Sequence, residues 1–234
     1  MQFITVMEFY FHIQLNEKLY VRNPEETELG QKIVQNSLDL IHKEGFESFT
    51  FKKLAQLIGT TEASIYRYFE NKHRLLVYII SWYWSWLEYQ VIFHTHNIQD
   101  AEKKLDTVIR IMTMGIDEQL SFKHIDKKVL HQIVIDEGSK VYLTKHVTKD
   151  NKEQLFKPYK DLCGRIAEII SQFSPSYPFP RSLASTIVEV SHQQAYFMKN
   201  LPSLTDSGLS GSNEDVRLFL ESMVHSVLKP SKKK

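Results

Sequence analysis

The sequence predicts an all-α fold: a three-helix helix-turn-helix head joined to a larger helical lobe, with a short N-terminal β-hairpin pattern ahead of both. Three observations predict it. Apolar residues recur at helical spacing through most of the chain after residue 23. Only 8 Gly and 7 Pro occur in 234 residues, which favours long helices over turn-rich β architecture. The stretch Thr50 to Lys72, TFKKLAQLIGTTEASIYRYFENK, reads as a short helix, a three-residue turn and a second short helix with a polar and basic face.

The bulk numbers narrow the classes. With 42% hydrophobic and 24% charged residues the composition is that of an ordinary globular protein, long enough for one large domain or two lobes. The formal net charge of +1 excludes a polycation, so any affinity for nucleic acid must come from a local patch. The single Cys163 excludes an internal disulfide and a multi-cysteine zinc site, and it suits a reducing cytoplasm. It falls inside a helical pattern and reads as a buried structural thiol. No apolar run reaches the roughly 18 residues of a membrane span, and MQFITVMEF has no basic start typical of a secretory signal. A cytoplasmic location is expected.

Taken in order, residues 9–22 (FYFHIQLNEKLYVR) alternate apolar and polar about Asn16-Glu17, which suggests a small hairpin; a frayed amphipathic arm is the alternative. Asn23-Pro24-Glu25-Glu26 announces a helix, with Thr27 as a rival cap. Ile33, Val34, Ser37, Leu40 and Ile41 follow at helical spacing, Gly45 ends the run, and Phe46 and Phe49 plug a small core. Thr50 caps a helix over 51–58 with Leu54, Ala55 and Ile58 inward. Gly59 stops it, and Thr61 caps a helix over 62–68 with Ile65 and Phe69 inward. Helical pattern resumes from Lys72 to about Phe93, then over roughly 100–120, 124–137, 148–173, 181–201 and 213–228. The breaks are 121–123, Gly138-Ser139, Pro158, 174–180 and 201–213. The closing KPSKKK is a solvated basic tail.

The second helix of the Thr50–Lys72 unit carries the chemistry of DNA recognition. Glu62, Ala63, Ser64, Tyr66, Arg67 and Tyr68 are left around its outer surface, and small Ala63 and Ser64 allow close approach to base edges. Arg67 can donate bidentately to guanine, and Glu62 can accept from cytosine. Lys52 can reach a base edge or a phosphate; Thr61, Ser64 and Tyr66 can donate hydroxyls to phosphates, and Lys72 can clamp the flanking phosphate. Charges over 27–76 nearly balance. Support comes from segregation: Lys52, Lys53, Arg67, Lys72, His73 and Arg74 fall in the half that would face DNA, while Asp39, Glu44 and Glu47 fall on or after the first helix. A helical hairpin with an ordinary solvated face is the competing explanation.

These residues resemble the TetR family of bacterial transcriptional regulators. The matching string is Phe49 to Ala55, then Gly59 to Phe69, then Asn71-Lys72 and Leu75-Leu76, preceded by the helix 28–44 with Gly45-Phe46. The likeness covers about 28–76. It implies a head of three short helices with 62–68 as the recognition helix. Tyr66 and Lys72 match the family's phosphate contacts, and Lys52, Glu62, Ala63, Ser64, Arg67 and Tyr68 match positions near bases or backbone. Thr61 stands where Ser is frequent. The N-terminal extension of over twenty residues departs from the family pattern. The resemblance further implies a lobe that binds a small effector of unknown identity and dimerises through its last two helices. In this sequence Ile187, Val190, Gln194, Phe197, Met198 and Leu201 form one stripe, and Val216, Phe219, Leu220, Met223 and Val227 its partner. An intramolecular core explains the same stripes nearly as well. The implied organisation is an extension over 1–22, a DNA-binding domain over 23–72, an effector-binding and dimerisation domain over 73–229, and a tail over 230–234.

Trp82, Trp86, Tyr89 and Phe93 share one helical face and are candidates for the wall of an effector pocket, although core packing is the commoner job of such a face. His94-Thr95-His96 lacks the spacing and partners of a metal site. No nucleophile elbow, P-loop or dinucleotide fingerprint occurs, so no catalysis and no cofactor are expected. The expectation is a dimeric, sequence-specific DNA-binding regulator of a pseudo-palindromic operator, a repressor released by a small molecule. Two alternatives stand beside it: an effector-independent or partner-controlled DNA-binding regulator, and a ligand-binding or enzymatic helical protein with a vestigial helix-turn-helix.

Overall fold

The computed structural model describes residues 13, 15–114, 125–208 and 211–229. Ten α-helices occur among them: α1 (Glu28–Glu44), α2 (Phe51–Ile58), α3 (Glu62–Tyr66), α4 (Lys72–Thr95), α5 (Ala101–Met114), α6 (Lys127–Glu137), α7 (Val147–Lys152), α8 (Lys157–Phe173), α9 (Pro180–Asn200) and α10 (Asn213–Leu228). The expected bounds hold closely for most of them. The expected ends of the 100–120 and 124–137 helices, the 121–123 break and the 230–234 tail fall partly or wholly outside the described residues.

Both rival caps of the first helix are used. Asn23 accepts from the Glu25 N–H and starts a 3-10 turn over Pro24–Glu26; Thr27 then accepts from the Gly30 N–H and starts α1. The two turns are packed tightly at Gly30, where an added Cβ would lie 2.3 Å from the Pro24 carbonyl oxygen. Backbone cannot yield as a flexible side chain does. Gly30→Ala should therefore lower stability by about 1–2 kcal/mol despite alanine's better helix propensity. Denaturant melts check this; a stabilised variant would contradict it.

The expected 148–173 helix is two helices. Gln154 takes φ 62, which ends α7, and Pro158 sits in the first turn of α8, the position where a missing N–H does no harm. The first arm of the expected hairpin, residues 9–12 and 14, lies outside the described residues. Where the second arm was expected, Glu17–Leu19 forms a 3-10 turn, because Asn16 accepts from the Lys18 N–H and favours a local turn over an extended strand. This segment straddles the molecule. Leu15 and Leu19 are buried, the Val21 N–H donates to the Tyr68 carbonyl at 2.8 Å, and Asn16 donates to the Glu153 carbonyl at 2.9 Å.

Helix α4 organises the rest. It is apolar on nearly every side and buried along most of its length, as a central helix must be. It packs on α5 and α8; α8 packs on α9, and α5 on α10. Trp82 and Trp86 belong to this core. Helix α6 touches both halves, since it packs on α1 as well as on α9 and α4.

Candidate functional site

The head is built by short-range capping. Thr50 accepts from the Lys53 N–H to start α2, and Gly59 ends it at φ 68, ψ 40, the left-handed conformation glycine adopts without steric cost. Thr61 accepts from the Ser64 N–H at 3.2 Å, and its hydroxyl is 2.9 Å from that of Ser64. Ile65 and Phe69 are fully buried, which fixes the rotation of α3. Lys52, Thr61, Glu62, Ala63, Tyr66 and Arg67 are exposed as a result, with Ser64 half-buried among them. The Tyr66 ring packs edge-on to Phe51 at 5.1 Å, which holds a side chain still 49% exposed.

The cations of the head divide into two groups. Lys53 pairs with Glu44 at 2.7 Å, and Arg74 is spread over Glu70, Asp150 and Glu153 at 3.8, 3.4 and 2.9 Å. Lys52 and Arg67 have no such partner among the described residues, and neither does the Tyr66 hydroxyl. An exposed cation without an internal partner loses nothing inside the protein when it meets a phosphate or a base edge.

Two expected DNA contacts are corrected. Tyr68 is 3% exposed and its hydroxyl is 2.8 Å from that of Thr27. Helix α3 ends at Tyr66, two residues earlier than expected, and the change of direction turns Tyr68 into the core. Lys72 donates to the carbonyls of Phe46, Glu47 and Phe49 at 3.1, 3.1 and 3.2 Å, and its ammonium lies 4.7 Å from the Phe46 ring centroid. An ammonium has three protons. All three serve the α1–α2 loop, so Lys72 staples the head instead of clamping a phosphate.

The lobe holds two adjoining cavities away from the expected aromatic face. One, of about 270 Å³, is bounded by Trp84, Val134, Gly138, His192 and Tyr196; the other, of about 690 Å³, by Leu143, Val147, Phe156, Tyr159 and Lys160. Ser139, Tyr142 and Glu189 border both. The expected pocket residues lie elsewhere. Trp82 and Trp86 are packed in the core at 5% and 4% exposure, and Tyr89 and Phe93 stack on each other towards the surface. Position 84, between the two expected tryptophans, faces the cavity, because a helix turns successive residues by about 100°.

Behind the smaller cavity lies a hydrogen-bonded chain. His192 Nδ1 is 2.8 Å from the Val188 carbonyl, which can only accept, so this nitrogen carries the proton. Its Nε2 then accepts from the Tyr83 hydroxyl at 2.9 Å, and Tyr83 in turn accepts from His131 Nδ1 at 2.7 Å. Burial holds both imidazoles below their ordinary value of 6.5, His131 at about 4 with His192 adding to the effect. Between pH 6.5 and 4 the unfolded chain takes up protons that the folded chain refuses. This contribution to stability is therefore complete above pH 6.5 and should be lost as pH drops to 4, by about 3 kcal/mol from His131 alone. Thermal melts across that window check this, with His131→Gln flattening the profile; identical profiles would contradict it.

On the expected dimer face, Ile187 is corrected: it is fully buried inside its own subunit. Val190, Gln194, Met198 and Met223 are half-buried, and Phe219 is 47% exposed beside exposed Leu218 and Val227.

No helix of the described residues is long and apolar enough to cross a membrane, and no group of three or more His, Cys, Asp or Glu among them could hold a metal ion. Residues 33–79 match the family model for bacterial regulatory proteins of the tetR family. No curated protein matches the chain in sequence. Solved structures match over most of its length. AibR, crystallised with isovaleryl coenzyme A and operator DNA, superposes at TM-score 0.55 with 16% identity, covering 86% of this chain and 100% of AibR. A TetR transcriptional regulator from Legionella pneumophila superposes at 0.53 with 18% identity over 86% and 98% of the two chains. A tetR-family regulatory protein from Rhodococcus RHA1 superposes at 0.59 with 11% identity over 85% and 97%. At these identities the likeness speaks for the fold. The head of this chain is a TetR-family domain, and it is carried on a helical lobe with the TetR fold.

Proposed function

We propose that this chain is a dimeric, sequence-specific transcriptional regulator, a repressor released by a small molecule. The observation that carries the DNA reading is the free, exposed group of Lys52, Tyr66 and Arg67 around α3, in a head whose other cations include several bound internally. Arg67 reads a guanine edge, Tyr66 and Thr61 donate to phosphates, and Ala63 keeps the helix close to the groove. The domain division expected from the sequence is kept, with α4 running from the head into the lobe. A second copy covers Phe219, Leu218 and Val227 on α10 together with Val190, Gln194 and Met198 on α9, since such an apolar strip is poorly tolerated in water. The two heads then read half-sites of a pseudo-palindrome in major grooves roughly 34–36 Å apart or somewhat more.

The cavities supply the effector site. Residues 134, 135, 136, 138, 139 and 142 line the smaller one, on both sides of Glu137. The Glu137 carboxylate accepts from the Phe46 N–H at 2.9 Å in the head. A ligand in the cavity thereby reaches the head through one buried hydrogen bond, and it acts by favouring a head position that fits DNA badly. AibR, with a ligand and an operator in one crystal, is a precedent for this pairing in the same fold.

The test is selection of bound fragments from a random DNA pool by the purified protein, followed by a salt titration of the winning sequence. The expected result is a palindromic consensus whose affinity falls steeply with salt. Recovery of unselected sequence at all salt concentrations would remove the regulator reading.

A further inference from the structure

We infer that the ligand of the lobe is an organic monocation with an aromatic or alkyl body, held with its charge at Glu189 and against the rings of Trp84, Tyr142 and Tyr159. The inference rests on the effector reading above and adds the chemical class of the ligand.

Glu189 stands on the border shared by the two cavities. Its carboxylate accepts from the Tyr159 hydroxyl at 2.5 Å and has no ion-pair partner among the described residues. A neutral donor orients a carboxylate but does not cancel its charge. The other acid of the lining, Asp136, is different: Lys199 lies 3.7 Å from it, and Gln132 donates to it at 2.9 Å. The uncompensated charge reaches into the lining. It adds to the burial that raises Tyr159, Tyr142 and Cys163, the last to about 11.

The rings beside Glu189 are set close together. Trp84 and Tyr159 have centroids 5.0 Å apart, Tyr142 and Tyr159 5.4 Å, and the Trp84 indole N–H donates to the Tyr142 hydroxyl at 2.7 Å. The face of an aromatic ring is electron-rich and attracts a weakly hydrated cation. A carboxylate at the mouth and rings along the wall suit a positive charge on an apolar body. An anion fares worse. Lys160 is the one permanent cation in the lining, and it is already hydrogen-bonded to Asn151; His192 is held neutral by burial.

Isothermal titration calorimetry on the full chain tests the inference with three probes: benzyltrimethylammonium, its neutral isostere neopentylbenzene, and isovaleryl coenzyme A. The wild type should bind the cation more tightly than the isostere. Glu189→Gln, at an exposed position and able to keep the Tyr159 hydrogen bond, should fold normally by circular dichroism and lose at least about tenfold in affinity for the cation, with the isostere unaffected. Equal affinity for cation and isostere, equal affinity in the two proteins, or no binding of the cation would each overturn the inference. Operator DNA separates this from the reading beneath it. Release by isovaleryl coenzyme A with no binding of the cation overturns the cation and keeps the small-molecule switch. A cation that binds through Glu189 while DNA stays bound with every probe supports the inference and removes the switch.

Discussion

Arg67→Ala should weaken binding to the selected operator by about 1–3 kcal/mol per head and relax discrimination at one base position in each half-site. Arg67 is exposed and makes no ion pair among the described residues, so its removal disturbs no internal contact. Surface substitutions of that kind usually shift stability by within about 0.5 kcal/mol. The whole loss therefore belongs to DNA. Lys72→Met is the contrasting case. It takes three donors from the carbonyls of Phe46, Glu47 and Phe49 and should lower the melting temperature, with DNA affinity falling only as the head loosens. Competition binding against single-base operator variants, run beside thermal melts, distinguishes the two. Equal affinity losses on every operator variant with Arg67→Ala would place Arg67 on the backbone and off the bases.

The head was legible because its rules are local. Thr27, Thr50 and Thr61 each have the next-but-two N–H within reach, Gly59 is where a left-handed residue is needed, and Ile65 with Phe69 sets which side of α3 faces out. Helical spacing continued to residue 68 puts Tyr68 on the outer face, but α3 ends at Tyr66 and the chain turns Tyr68 inward. Lys72 was misplaced because residue type tells of charge and not of three carbonyls gathered by a loop some twenty residues earlier. Ile187 shows the limit of an amphipathic stripe: the same periodicity buries a residue within one subunit or between two. The cavities were out of reach for a further reason. Trp84, Tyr142, Tyr159 and Glu189 come from four different segments, and only the packing of α4, α8 and α9 brings them together.

Glu137→Ala should cut the link between lobe and head. Glu137 is 7% exposed. One carboxylate oxygen accepts from the Phe46 N–H, the other lies 2.7 Å from the Lys140 ammonium, and Lys140 also reaches Glu47 at 3.2 Å. Alanine orphans a buried N–H and leaves Lys140 with its more exposed partner alone. The expected cost is about 3 kcal/mol of stability. Glu137→Gln keeps the acceptor for Phe46 and loses only the charge, so it should cost less. The functional consequence differs from the stability one. The residues on both sides of Glu137 line the smaller cavity and Glu137 accepts from the Phe46 N–H, so on the proposed effector reading a bound ligand would shift this turn of α6 and Phe46 would follow through that hydrogen bond. In Glu137→Ala the ligand should still bind with near-normal affinity, and DNA should still bind in its absence, but the ligand should no longer release the DNA. Calorimetry of the ligand and DNA binding with and without it measure the three quantities on one preparation. A variant that retains full release shows that the signal travels by α4 and the α1–α6 packing without this hydrogen bond. One that loses all three quantities together shows that Glu137 only holds the fold.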